Sequence, residues 1–263
     1  MRITLTKLLQ MARDRQRIAM ISCYDAISAR LVEMAGVDII LVGDSLGMLV
    51  QGHDSTLPVS MEEQLYHTRC VVRGCANPFI LGDMPFGSYQ ASPQEAFANA
   101  ARLMAAGAQM IKLEGGTVMA ATVAFLAERG IPVCGHVGLT PQSVHALGGY
   151  RVQGKTDDAA TRLLDDVRRL EDAGMSMIVV EAVPAALGAQ ITRAVSMPTI
   201  GIGAGAECAG QILLLHDLID MVPGKKARFV KNFMVGSSSI LQAVEGFVRE
   251  VKDGSFPGPE HSY

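Results

Sequence analysis

The 263-residue sequence has little charge and no excess of positive charge. Charged residues make up 19%, and 23 Lys+Arg against 26 Asp+Glu leave a net −3, where a typical soluble chain carries ~25% charged residues. That balance excludes the basic field that nucleic acid phosphates require, and leaves only local charge to recognise a small anionic ligand. With 49% hydrophobic residues the chain has enough apolar surface to escape disorder over most of its length. A membrane-spanning run is also missing. The uncharged stretch 131–150 carries Pro132, Pro141, His136, His145 and four glycines, which a lipid-exposed helix would not tolerate. Around the N-terminus, Lys7, Arg13, Asp14, Arg15 and Arg17 interrupt a short Leu-rich helical pattern at about 4–14, with no sustained apolar core and no small-residue cleavage site. A cytoplasmic location is the expectation. The five cysteines (Cys23, Cys70, Cys75, Cys134 and Cys208) form no C-x-x-C pair, against both a disulfide framework and a thiolate zinc site, so buried reduced thiols are expected. No linker, low-complexity run or charge block divides the chain, and one domain over 1–263 is expected.

What is present is a weak internal repeat. Ala35-Gly36-Val37 leads into IILVGD, Ala106-Gly107-Ala108 into MIKLEG, and Ala173-Gly174-Met175 into MIVVEA. Each copy reads as helix, glycine stop, strand, acid: glycine takes the left-handed position that ends a helix, and a near-continuous apolar run suits a parallel strand covered on both faces. Ser60-Met-Glu-Glu63 and Ser92-Pro-Gln-Glu95 are helix-starting capping boxes, the second with proline at the first helical position. The same logic predicts strands at 19–23, 39–43, 79–83, 110–114, 132–136, 177–181, 199–202 and 212–215, and helices at 25–35, 61–73, 93–106, 117–129, 157–173, 185–194 and 238–252. A strand-then-helix unit repeated eight times in roughly 250 residues is the size of a (β/α)8 TIM barrel. The competitor, a doubly wound open sheet, should open its first strand-to-helix turn with a glycine fingerprint, and the turn after Cys23 has no glycine.

In a barrel, Asp44, Asp83, Glu114, His136 and Glu181 would all fall at or just past the carboxyl ends of different strands, where barrel active sites form. A single such acid is as readily a helix cap, but four with a histidine would repel one another unless a cation shared them. Hard oxygen ligands without cysteine or paired histidines select Mg2+ over Zn2+. Lys112 and Glu114, two apart, share one strand face. A lysine inside an apolar strand demands a partner: a neighbouring acid, a substrate carboxylate, or a covalent Schiff base. Ser45 beside Asp44, in Gly43-Asp-Ser-Leu-Gly-Met48, suits hydrogen bonding to a bound oxyanion. Gly201-Ile-Gly-Ala-Gly205 reads equally as an anion loop or as close chain packing. His136 is either a core histidine or a site residue. The other histidines lack metal-ligand spacing, and Arg162, Arg168 and Arg169 read as a solvated or subunit-contact face.

Together these residues resemble the ketopantoate hydroxymethyltransferase family. The resemblance runs through LVGDSLGMLVQGHDSTLPVS (41–60), MIKLEGG (110–116), IPVCGHVGLTPQSV (131–144), GGYRVQGK (148–155), VVEAVP (179–184), GIGAG (201–205), GQILLLHD (210–217), VKNF (230–233) and FPGPEHSY (256–263). It implies a Mg2+-dependent barrel enzyme that moves a one-carbon unit from 5,10-methylenetetrahydrofolate to 3-methyl-2-oxobutanoate, giving 2-dehydropantoate through a metal-stabilised enolate, on the route to pantothenate and coenzyme A. By the same resemblance Asp44 and Asp83 would bind the metal and the substrate. Glu114 would complete the metal site directly or through water, Ser45 and Lys112 would hold the keto acid, and Glu181 would accept the proton. The family is commonly a homodecamer. Two other readings stay open on the residues alone: a lyase of the phosphoenolpyruvate mutase and isocitrate lyase type, and a barrel that binds small molecules without catalysis.

Overall fold

The computed structural model describes residues 2–263. Its core is a closed barrel of eight parallel strands in chain order: β1 (Ile18–Ser22), β2 (Ile39–Val42), β3 (Phe79–Asp83), β4 (Met110–Glu114), β5 (Val133–Gly138), β6 (Met177–Glu181), β7 (Thr199–Ile202) and β8 (Gly210–Leu214), with β8 paired back onto β1. Nearly every strand residue is buried, because the inner face fills the barrel and the outer face lies under helices. This is the single-domain (β/α)8 TIM barrel expected from the repeat. The three repeat glycines, Gly36, Gly107 and Gly174, take φ of 84°, 109° and 94°, ending a helix and turning the chain into β2, β4 and β6.

Helices α1 (Leu5–Arg13) and α2 (Ala26–Met34) flank β1; α3 (Leu46–Leu49) and α4 (Met61–Gly74) follow β2, and α5 (Pro93–Ala105) follows β3. After β4 comes α6 (Ala120–Ala127), after β5 come α7 (Val144–Leu147) and α8 (Asp157–Asp172), after β6 comes α9 (Ala185–Ala194), and after β8 come α10 (Leu215–Leu218) and α11 (Ile240–Asp253). Sequence caps set the starts. Ser60 forms a complete capping box with Glu63 on α4, while Ser92 caps α5 with Pro93 at its first turn. No described helix is long and apolar enough to cross a membrane.

Two details depart from the sequence reading. The expected helix 117–129 opens as a 3-10 turn, Thr117–Met119, because the Asp166 carboxylate takes the Thr117 N–H at 2.8 Å and packs where a Cβ on Gly116 would stand. The last strand starts at Gly210, two residues early, where a Cβ would sit 2.4 Å from the Ile18 carbonyl, so only glycine lets β8 approach β1. As the expected set of helices implied, none separates β7 from β8. Gly201, Gly203 and Gly205 pack against Cys208, Phe229 and Ala185 respectively, which favours the close-packing reading of that glycine run. All five cysteines are free thiols and four are buried.

Candidate active site

Strand register builds the site. Asp83 pairs with Lys112 across β3 and β4, and Glu114 pairs with His136 across β4 and β5. Lateral neighbours in a parallel sheet share a face, as do residues two apart along a strand, so these four side chains point into the barrel together. Glu181 ends β6 two residues past Val179, the register partner of His136. Asp44 and Ser45 follow β2. All seven line one cavity of about 260 Å³ at the carboxyl end of the strands.

The Lys112 ammonium donates to both Asp83 oxygens, at 2.8 and 2.9 Å, and lies 3.5 Å from Glu114 Oε1. His136 sits between two acids, its Nδ1 3.3 Å from Glu114 Oε1 and its Nε2 3.1 Å from Glu181 Oε2. Neither contact is aligned as a regular hydrogen bond. Burial, then the adjacent Asp83 carboxylate, pushes the Asp44 carboxyl well above the usual range. Burial also raises Asp83. Burial works against the charge of Lys112, but Asp83, Glu114 and Asp44 outweigh it and hold the ammonium protonated well past its ordinary value. Glu114 is held low because Lys112 and His136 overcome its burial. Burial and Lys112 lower His136, yet Glu114 and Glu181 carry it up to about 9. A protonated, doubly hydrogen-bonded lysine is poorly prepared for Schiff-base attack, which needs the free amine.

Sequence reasoning missed Gln142 and Tyr89. Gln142 lies on a 3-10 turn after β5. Its Nε2 donates to Asp44 Oδ2 and to the Met84 carbonyl, both at 2.9 Å; its Oε1 accepts from the Tyr89 hydroxyl at 2.6 Å and from Gln90 Nε2 at 3.3 Å. Its backbone N–H donates to Glu114 Oε2 at 3.0 Å. Every valence of that amide is used, which fixes its orientation. Tyr89 Oη in turn accepts the Glu114 N–H at 3.0 Å. A similar device holds Ser45, whose Oγ is 2.8 Å from the Tyr24 hydroxyl. Neutral polar residues scattered through loops carry no periodic signal, so only the folded contacts show them.

Among the described residues no set of three or more His, Cys, Asp or Glu side chains is arranged as a metal cage. Mg2+ does not require one, since it is usually held by one or two carboxylates with waters and substrate oxygens completing six ligands. Asp44 and Asp83 fit that pattern. Both are buried beside one cavity, and Asp44 Oδ1 accepts no hydrogen bond among the described residues. Both Glu114 oxygens already have protein donors, and so do both Asp83 oxygens, so of the three acids Asp44 alone offers an oxygen that a metal could take without sharing a donor.

A family model described as ketopantoate hydroxymethyltransferase matches residues 2–259. Curated relatives called 3-methyl-2-oxobutanoate hydroxymethyltransferase include one from Azoarcus sp. (strain BH72), 62% identical over 99% of this chain and 97% of its own. Another, from Nitrosospira multiformis, is 59% identical over 100% of both. Solved structures share the fold at low identity. A phosphoenolpyruvate phosphomutase from Streptomyces platensis subsp. rosaceus has TM-score 0.64 and 13% identity, over 83% of each chain. A phosphonopyruvate hydrolase complexed with oxalate and Mg2+ has TM-score 0.61 and 15% identity, over 98% of this chain and 93% of its own. The full-length matches to family and relatives, over a barrel whose acids and lysine meet in one cavity, show that the chain belongs to the ketopantoate hydroxymethyltransferase family.

Proposed function

We propose that this hydroxymethyltransferase acts on 3-methyl-2-oxobutanoate with 5,10-methylenetetrahydrofolate as one-carbon donor and Mg2+ as cofactor, forming 2-dehydropantoate and tetrahydrofolate. The reading rests above all on the convergence of Asp44, Asp83, Lys112, Glu114, His136 and Glu181 on one small cavity. The names of relatives supply the substrate. Asp44 and Asp83 would hold the metal, with Glu114 behind them, and Lys112 and Ser45 would take the carboxylate of the keto acid. When bound, Mg2+ supplies Lewis-acid stabilisation of the negative charge that builds on the keto oxygen. Glu181, the most accessible of the site acids, removes the C3 proton, and His136 at 3.1 Å steadies its charge. The C3 electron pair then forms the new bond to the donor's methylene carbon. The bonds from that carbon to the donor nitrogens break, and one water supplies the hydroxyl oxygen. Lys112, fixed on its strand, would decide which face of the substrate is offered.

The test is proton exchange. In deuterated water without folate, the protein should replace the C3 hydrogen of 3-methyl-2-oxobutanoate when Mg2+ is present and stop when EDTA is added. Absence of exchange under every condition overturns the reading.

A further inference from the structure

A second cavity, of about 500 Å³, adjoins the first and shares Tyr150, Glu181 and Phe229 with it. The rest of its lining sets four cations among apolar side chains: Arg151 and Lys225 form no ion pair among the described residues, Lys226 pairs with Asp220 at 3.1 Å, and Arg228 is fixed by donating to the Glu260 carbonyl at 3.1 Å and the Pro259 carbonyl at 3.4 Å. Glu181 is the one carboxylate side chain lining it. The loop that carries Tyr150 and Arg151 is tied to the end of β6, since the Gln153 N–H donates to the Ala182 carbonyl at 2.9 Å and Gly154 packs on Leu187. The Tyr150–Arg151 loop and Arg228 are therefore held in place, and the cavity is continuous with the proposed proton acceptor.

Size and chemistry then constrain what enters. A cavity of about 260 Å³ holds a small keto acid but falls below the roughly 300–1,000 Å³ usual for larger organic ligands. The one-carbon donor must bring its methylene to the carbon beside Glu181 while its bulk lies elsewhere. We propose that the second cavity is the donor subsite, taking a flat heteroaromatic ring against Tyr150 and Phe229 and a carboxylate-bearing tail along Arg151, Lys225 and Arg228. Aromatic faces suit a fused ring, and guanidinium and ammonium groups suit a chain of glutamyl carboxylates. The assignment rests on the folate reading of the proposed function.

The experiment compares the wild type, the double variant Arg151→Glu/Lys225→Glu, its neutral counterpart Arg151→Gln/Lys225→Gln, and the distant control Arg168→Glu. KM is measured for 5,10-methylenetetrahydrofolate bearing one or five glutamates. The acidic double variant should raise KM for the pentaglutamate roughly tenfold, the scale of two surface charge interactions reversed, and raise it less for the monoglutamate. The neutral variant should fall between, and Arg168→Glu should match wild type. Unchanged folate KM in both double variants overturns the subsite while leaving the donor intact. A wild type that exchanges the keto acid proton yet neither binds tetrahydrofolate nor transfers carbon from the donor overturns the folate reading, and the subsite with it.

Discussion

At the scale of single residues, the site is a set of charges that would be intolerable apart. Replacing one partner of a buried pair costs about 3–5 kcal/mol, and here Lys112 serves Asp83 and Glu114 at once. Glu181→Gln removes a proton acceptor without removing that balance. It should retain keto acid binding by calorimetry and lose C3 exchange by roughly 10²–10⁴-fold, the span of a general base. Gln142→Ala would strip Asp44 Oδ2, the Met84 carbonyl and the Tyr89 hydroxyl of their partner. At roughly 1–3 kcal/mol per orphaned buried group, denaturant unfolding should show a loss of several kcal/mol, and Mg2+ titration a weaker affinity. His136 sets a pH dependence in the metal-free protein. Its pKa is raised in the fold from 6.5 to about 9. The stabilisation its charge provides is therefore complete below about 6.5 and is lost as pH rises through about 9. Unfolding in EDTA should show that decline, and His136→Gln should flatten it.

Secondary-structure elements were the most legible level, for a local reason. A glycine that must adopt positive φ after a helix, followed by an apolar run, announces its strand without reference to the rest of the chain, as Gly36, Gly107 and Gly174 do. Asp44, Asp83, Lys112, Glu114 and Glu181 stood out because charge is conspicuous at the end of an apolar strand. Illegible were features decided by distant chain: the unwinding at Thr117, imposed by Asp166, and the role of Gln142, reached by side chains 28 to 98 residues away. Helix α2 offers a local test. Asp25 Oδ1 accepts from the Ile27 and Ser28 N–H groups at 2.8 and 2.9 Å. Asp25→Ala should cost about 0.5–2 kcal/mol, the usual price of a lost N-cap. Burial opposes the Asp25 charge, but the Ser28 and Ile27 hydrogen bonds hold its pKa below 3.8. The cap's contribution is thus complete above that pH and is lost under more acid conditions. At the end of β5, Gly138 has φ 88° and a Cβ there would lie 2.2 Å from the Glu181 carbonyl. Gly138→Ala should lower the melting temperature and, by pushing on the residue that bears the proton acceptor, reduce kcat.

For the whole molecule, the family resemblance leads us to expect a homodecamer, about 280 kDa from ten 28.0 kDa chains. Sedimentation velocity checks this directly. The exposed apolar side chains Ile27, Met34, Val118 and Val235 are places where a charged substitution should reduce that mass if they lie between copies. The barrel itself has one thin sector, where β7 passes to β8 without a helix. Phe229 and Tyr263 stand against Gly203, and the Tyr263 carbonyl accepts the Ala185 N–H at 2.8 Å. Tyr263 thus packs on the loop that follows β7, at the mouth of the barrel beside Phe229, and clasps the start of α9. Shortening the chain before Tyr263 should loosen that seam first, and hydrogen exchange would register the breach at 185–189 and 203–209 while the opposite flank stayed protected.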